Sequence, residues 1–124
     1  MPRCLLLCGL VLALAATGCD LAALKTPPPA PQAWRDRGQK LLAQYQCGSC
    51  HAIPGVASAN GRVASSLQGF GERSYIAGRI ANRADFLAQW IAQPQSLVPG
   101  TAMPSMGVSP EDARDMAAYL LELK

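Results

Sequence analysis

The chain has 124 residues, enough for one small domain and too few for two. Half of its residues are hydrophobic but only 6% are aromatic, so a core of this size gains from a cross-link or a bulky bound apolar group. A formal charge of +3 is too mild a basic excess to point to a nucleic-acid partner. The first segment, "MPRCLLLCGLVLALAATGCD", has a positive start at Arg3, an apolar run from Cys4 to Ala16, and then small residues. That is the layout of an export signal. The run is short for a membrane span, which takes about 20 residues.

The end of this segment is more specific. "AATGC" resembles the lipobox of bacterial lipoproteins, in which the signal is cut before the cysteine and the cysteine carries lipid. Ala16 departs from the pattern, where leucine is commoner. The resemblance implies a signal over residues 1–18 and a lipid on Cys19; the alternatives are an ordinary cleaved signal or a short anchor. Asp20 resembles the inner-membrane retention signal of some lipoproteins. Of the five cysteines, Cys4 and Cys8 leave with the signal, so Cys47 and Cys50 remain beside the lipid site. Residues 19–31 then form a linker. Pro27, Pro28, Pro29 and Pro31 exclude helix and central strand there. An extended spacer at about 3.1 Å per residue holds the domain within roughly 35–40 Å of a bilayer.

The folded domain is expected over residues 32–124. "QAWRDRGQKLLAQYQ" spaces Trp34, Leu41, Leu42 and Tyr45 in a loosely helical pattern, and Gly38 inside it suggests close packing on another element. A short helix is expected over Tyr75 to Ile80. "NRADFLAQWIAQP" predicts a helix capped by Asn82, ended at Pro94 and buried along Phe86, Leu87, Trp90 and Ile91. "SPEDARDMAAYLLELK" is the clearest helix. Ser109 suits the N-cap, Pro110 the first turn, and Glu111 and Asp112 the positive helix end. Ala113, Met116, Ala117, Leu120 and Leu121 make one apolar stripe. With no convincing strand alternation, the fold class is all-α, several short helices joined by irregular loops.

Between the first two helices lies Cys47-Gly48-Ser49-Cys50-His51, which holds the only histidine of the chain. Positions three apart share one face of a helical turn. Two thiols so placed can each add to a vinyl group of a haem, with His51 beside the second anchor and able to bind the iron. Gly48 and Ser49 keep the approach uncrowded. A thioredoxin-like pair needs a βαβ setting that is absent here, and zinc needs four good ligands that this chain does not supply. A disulfide across two residues does not account for His51. One covalently bound haem c is therefore the expected cofactor.

Four stretches, "RGQKLLAQYQCGSCHAIPG", "GERSYIAGRIANRADFLAQWIAQP", "LVPGTAMPSMGVS" and "ARDMAAYLLEL", resemble the bacterial class I c-type cytochromes, specifically small lipoprotein or oxidase-associated ones. The resemblance covers about Gln32 to Lys124. It implies a cytochrome c-like fold in which the first and last helices cross, with Gly38 and Tyr119 at the crossing. It also implies propionate-binding roles for Arg73, Tyr75 and Trp90, although each reads equally well as an ordinary surface arginine or core aromatic. Many relatives carry Gly-Pro where this chain has Ala64 and Ser65. The proline carbonyl there accepts the N–H of the haem histidine, so Ser65 is left to offer a carbonyl without proline's rigidity.

A second histidine ligand is excluded, because His51 has no companion. Met116 lies on the apolar stripe and reads as core. Met103 precedes Pro104, which extends the chain and displays the side chain. "PGTAMP" matches the family's ligand loop, with Met103 as the iron ligand and Met106 as the runner-up. Histidine and methionine together close the iron and favour the ferrous state, which suits one-electron transfer and not catalysis. The expected function is a membrane-tethered electron carrier on the periplasmic side of the inner membrane, serving an oxidase or dehydrogenase complex. The alternatives are a soluble periplasmic location, and a haem enzyme or gas sensor whose methionine leaves the iron. Arg62, Arg73, Arg79 and Arg83 face only Glu72 as a nearby acid in sequence. They read first as a solvated surface and second as a docking patch for an acidic redox partner.

Overall fold

The computed structural model describes residues 29–124. The expected signal over residues 1–18, Cys19 and most of the proline-rich linker lie outside them. The order is α1 (Gln32–Gln44), a one-turn 3₁₀ helix (Cys47–Ser49), a second one (Phe70–Glu72), β1 (Tyr75–Ile76), β2 (Ile80–Ala81), α2 (Ala84–Ala92), α3 (Pro94–Leu97) and α4 (Pro110–Leu120). Among the described residues no helix is long and apolar enough to cross a membrane.

Helix α4 starts as its sequence dictates. The Ser109 hydroxyl accepts the Asp112 N–H at 3.1 Å, Pro110 opens the first turn, and Glu111 and Asp112 sit in it. Ala113, Met116, Ala117 and Leu120 are buried, while Leu121 is half-buried at the edge of the core. Helix α1 crosses α4, with Leu41 and Leu42 buried between them. Gly38 is where the backbones approach closest. A methyl group there would overlap the Asp115 carbonyl oxygen, so only glycine permits the crossing at this depth. Tyr119 closes the same helix pair against the loop beyond it, its hydroxyl donating to the Pro54 carbonyl at 2.7 Å. Helix α2 packs on the other flank of α4 through Leu87 and Ile91.

A polar seam runs beside this apolar contact. Asp115 is buried at 7% exposure, and Arg37 reaches across from α1 to donate to both Asp115 and Asp112. Asp112 also accepts from the Tyr45 hydroxyl at 2.8 Å. Those bonds, the Tyr45 one first, hold the Asp112 carboxyl below its ordinary pKa, and the same carboxylate pushes the Tyr45 phenol up.

Three expectations are corrected. Tyr75 to Ile80 is not a helix but an antiparallel hairpin pairing Tyr75 with Ala81 and Ile76 with Ile80. Its turn has φ 48° at Ala77 and 72° at Gly78, closed by the Arg79 N–H on the Ile76 carbonyl at 3.1 Å. Positive φ at both central residues is the primed turn that matches strand twist. Second, Arg83 and not Asn82 occupies the N-cap of α2. The Asn82 amide is drawn inward, where Nδ2 donates to the carbonyls of Phe70 and Arg73, each at 3.0 Å. Third, Trp34 does not join the buried face of α1 and is 50% exposed. The surface arginines also have more company than Glu72, since Arg83 pairs with Asp85 at 3.2 Å.

Candidate haem site

The 3₁₀ turn after α1 sets up the Cys47-to-His51 loop. Gln46 takes φ 55°, ending α1 and reversing the chain. The N–H groups of Cys50 and His51 then both donate to the Cys47 carbonyl, at 3.2 and 3.0 Å. This single turn directs both thiols and the imidazole into one cleft. Gly61 braces it from outside, donating to the carbonyls of Gly48 and His51 at 2.9 and 3.2 Å. A Cβ at Gly61 would overlap the Cys50 backbone, so a side chain there would dislodge the loop.

The cleft has a volume of about 310 Å³. Its apolar surface comes from Leu42, Leu67, Phe70, Ile76, Leu87, Ile91 and Leu120. Cys47 and Cys50 are unpaired and half-buried, and burial pushes the Cys47 thiol above its usual pKa. His51 Nδ1 lies 2.7 Å from the Ser65 carbonyl oxygen. A carbonyl only accepts, so Nδ1 carries a proton here, which leaves Nε2 as the ring nitrogen that a metal could take.

The structure separates the methionines. Met116 is fully buried in the α4 core, and Met106 is 45% exposed and does not line the cleft. Met103 is half-buried and lines the cleft with Ala102 and Pro104. Its loop is anchored by Gln95, whose amide donates to the Thr101 carbonyl at 2.7 Å and accepts the Gly100 N–H at 2.9 Å. Sequence reasoning missed Gln95; its signal was only a polar residue shortly after the helix-ending Pro94. Arg73, Tyr75 and Trp90 also line the cleft. Arg73 is already engaged with protein, donating to the Ser66 and Gln68 carbonyls.

Among the described residues no cluster of three or more His, Cys, Asp or Glu side chains is placed to hold a metal ion by itself. The donors present suit a different group. Paired thiols at one edge, a lone-pair nitrogen, a thioether and an apolar interior fit a flat macrocyclic iron cofactor. The fold and this cleft thus define a class, the small helical domain wrapped around one haem. The chain matches the family model described as Cytochrome c over residues 35–124. It belongs to the cytochrome c family and is a class I c-type cytochrome, whose cofactor is covalently bound haem c.

Among curated proteins it is similar to cytochrome c oxidase subunit 2 of Alkalihalophilus pseudofirmus, at 38% identity over 90 residues covering 72% of this chain and 25% of that protein. The Bacillus subtilis protein of the same name is 35% identical over 86 residues, covering 67% of this chain and 24% of that protein. The one from Bacillus sp. strain PS3 is 34% identical over 89 residues, covering 68% and 25%. The chain spans about a quarter of the length of these relatives. No solved structure gives a significant match.

Proposed function

We propose that this chain is a membrane-tethered, mono-haem electron carrier that serves a respiratory terminal oxidase. In this reading Cys47 and Cys50 form the two thioether bonds, and His51 and Met103 ligate the iron. Bound haem supplies one reversibly transferred electron. The protein's residues decide how that electron is held. The Ser65 carbonyl fixes the His51 ring and makes its Nε2 a better donor. The Met103 thioether favours the reduced iron, so the pair sets a raised reduction potential. Leu67, Phe70, Leu87 and Ile91 keep water from the cofactor, which limits the rearrangement that accompanies electron transfer.

The observation that carries the proposal is the cleft itself, which both thiols, His51 and Met103 line while Met106 and Met116 do not. The oxidase partner is supported by the three relatives, each named as an oxidase subunit. The tether is supported by Cys19 in its lipobox-like setting and by the proline-rich spacer behind it. In this reading the carrier works on the periplasmic side of the inner membrane.

The test is expression of the full chain with haem-maturation machinery, followed by denaturing extraction and cell fractionation. Haem that stays with the polypeptide, and membrane association that Cys19→Ser abolishes, are the expected results. Haem that washes out refutes the thioether assignment. Membrane association that survives Cys19→Ser in high salt refutes the lipid tether.

A further inference from the structure

The carbonyl that meets the histidine belongs to Ser65, in the stretch Ala64-Ser65-Ser66, which has no proline to stiffen it. Ser65 is exposed, and among the described residues its own N–H has no hydrogen-bond partner. Yet its carbonyl sits 2.7 Å from His51 Nδ1. The Ala64 N–H on the Cys50 carbonyl at 3.0 Å and the Leu67 N–H on the Ala52 carbonyl at 2.8 Å tie the segment down on either side, and Ser65 and Ser66 lie between these two ties.

The next carbonyls along the chain show a further hold between those two ties. Nη2 of Arg73 donates to the Ser66 carbonyl at 2.6 Å and to the Gln68 carbonyl at 3.2 Å. The guanidinium carbon lies 5.3 Å from the centroid of the buried Phe70 ring, close enough for a cation–π contact. The backbone under this arginine is fixed in turn. Its N–H donates to the Phe70 carbonyl at 3.2 Å, and its carbonyl accepts from the inward-drawn Asn82 amide at 3.0 Å. A rigid base, a planar cation and two anchor points therefore end one residue from the carbonyl that touches the imidazole.

We infer that Arg73 is a positioning residue for His51, clamping the Ser66 and Gln68 carbonyls so that the Ser65 carbonyl stays on the ring N–H, in place of a proline. The inference rests on His51 being an iron ligand. It is distinct from a role as a positive charge beside the haem propionates, because the clamp acts through backbone position and not through charge.

The experiment uses the holoprotein in its ferric form and follows exchange of the His51 Nδ1 proton with solvent, through its iron-shifted resonance. Arg73→Gln speeds exchange on the order of tenfold, the change expected for loss of one ordinary hydrogen bond. Ser65→Pro in the Arg73→Gln background slows exchange back toward the parent value, but changes little in the parent, where the clamp is intact. The Arg73→Gln protein and its Ser65→Pro derivative carry the same charge, so their difference in reduction potential reads the carbonyl alone. The proline variant has the lower potential, because a firmly held ring is the better donor. Should Arg73→Gln not accumulate, Arg73→Lys keeps the charge, gives up the planar stack on Phe70, and also speeds exchange. Unchanged exchange in the arginine variant, or an equal effect of Ser65→Pro in both backgrounds, overturns the clamp and leaves Arg73 as a charge only. A parent protein with no iron-shifted ring proton refutes the His51 assignment itself, and the clamp with it.

Discussion

The histidine end of the cleft is stitched together by backbone, whereas the methionine end has one backbone turn bond, from the Thr101 N–H to the Val98 carbonyl at 3.1 Å, and otherwise hangs on a few side-chain bonds. Around His51, the N–H groups of Gly61, Ala64 and Leu67 reach carbonyls of the Gly48-to-Ala52 stretch at 2.8–3.2 Å. Around Met103, Gln95 provides two bonds, Ser105 reaches the Ala92 carbonyl only at 3.4 Å, and Met103 N–H meets Thr101 Oγ1 at the same length. Gly100 and Gly107 flank that loop with φ of 81° and 70°. A dense backbone web holds its shape whatever is bound. A loop held by a few side-chain bonds is expected to take part of its order from the iron–sulfur bond. If His51 and Met103 ligate the iron as proposed, the difference teaches that the imidazole is the preorganised ligand and the thioether the exchangeable one.

The largest effect falls on the covalent side. Cys47→Ala with Cys50→Ala is expected to leave almost no haem on the polypeptide after denaturing extraction, measured by haem staining and intact mass. Met103→Ala comes next and acts on the other wall alone. Haem stays attached, the reduced protein goes from no carbon monoxide binding to near saturation, and the potential falls because a thioether that favoured reduced iron is gone. Met106→Ala, on an exposed residue outside the cleft, leaves both readouts near the parent values. If Met106→Ala opens the iron and Met103→Ala does not, the ligands are exchanged.

Gln95→Ala sharpens the contrast with a milder change. It removes two loop bonds worth about 1 kcal/mol each and touches nothing on the histidine side. The population with methionine off the iron is expected to rise on the order of tenfold, read by competition with added imidazole.

The smallest effect comes from the bond between Tyr45, beside the cysteine turn, and Asp112 at the start of α4. The Asp112 carboxyl titrates lower folded than unfolded, where about 3.9 is usual. Its contribution is therefore complete above that range and lost as pH falls through the folded value. Tyr45 titrates higher when folded, so its contribution is lost only at strongly alkaline pH. Melting temperatures of the parent and Asp112→Asn are expected to differ at pH 6 and to converge toward pH 3.

Much of the site is legible in the sequence because its chemistry is local. Cys47, Cys50 and His51 share one turn, the Ser65 carbonyl is located by its match to a proline position, and Pro104 marks Met103 as displayed. Gly38 announces the helix crossing because only a close approach justifies glycine inside a helix. What escapes depends on contacts distant in sequence or on very short elements. Two-residue strands offer no alternation to read, so pattern alone extends a helix through the turn at Ala77 and Gly78. Asn82 has the residue type of a cap, while its amide is engaged by carbonyls about ten residues earlier. Trp34 follows the helical period, yet it ends beside Glu111 and Arg114, polar side chains that leave half of it open to solvent. The roles of Arg73 and Gln95 are bonds to backbone, which no residue pattern encodes.

The most direct measurement is an absorption spectrum of the purified holoprotein, ferric first and then reduced under carbon monoxide. The account predicts a methionine–iron charge-transfer band in the ferric form and no spectral change with the gas, as a closed histidine–methionine iron requires. Absence of that band with rapid carbon monoxide binding would contradict it. The chain would then have an open iron, suited to peroxide or gas chemistry and not to carrying electrons alone.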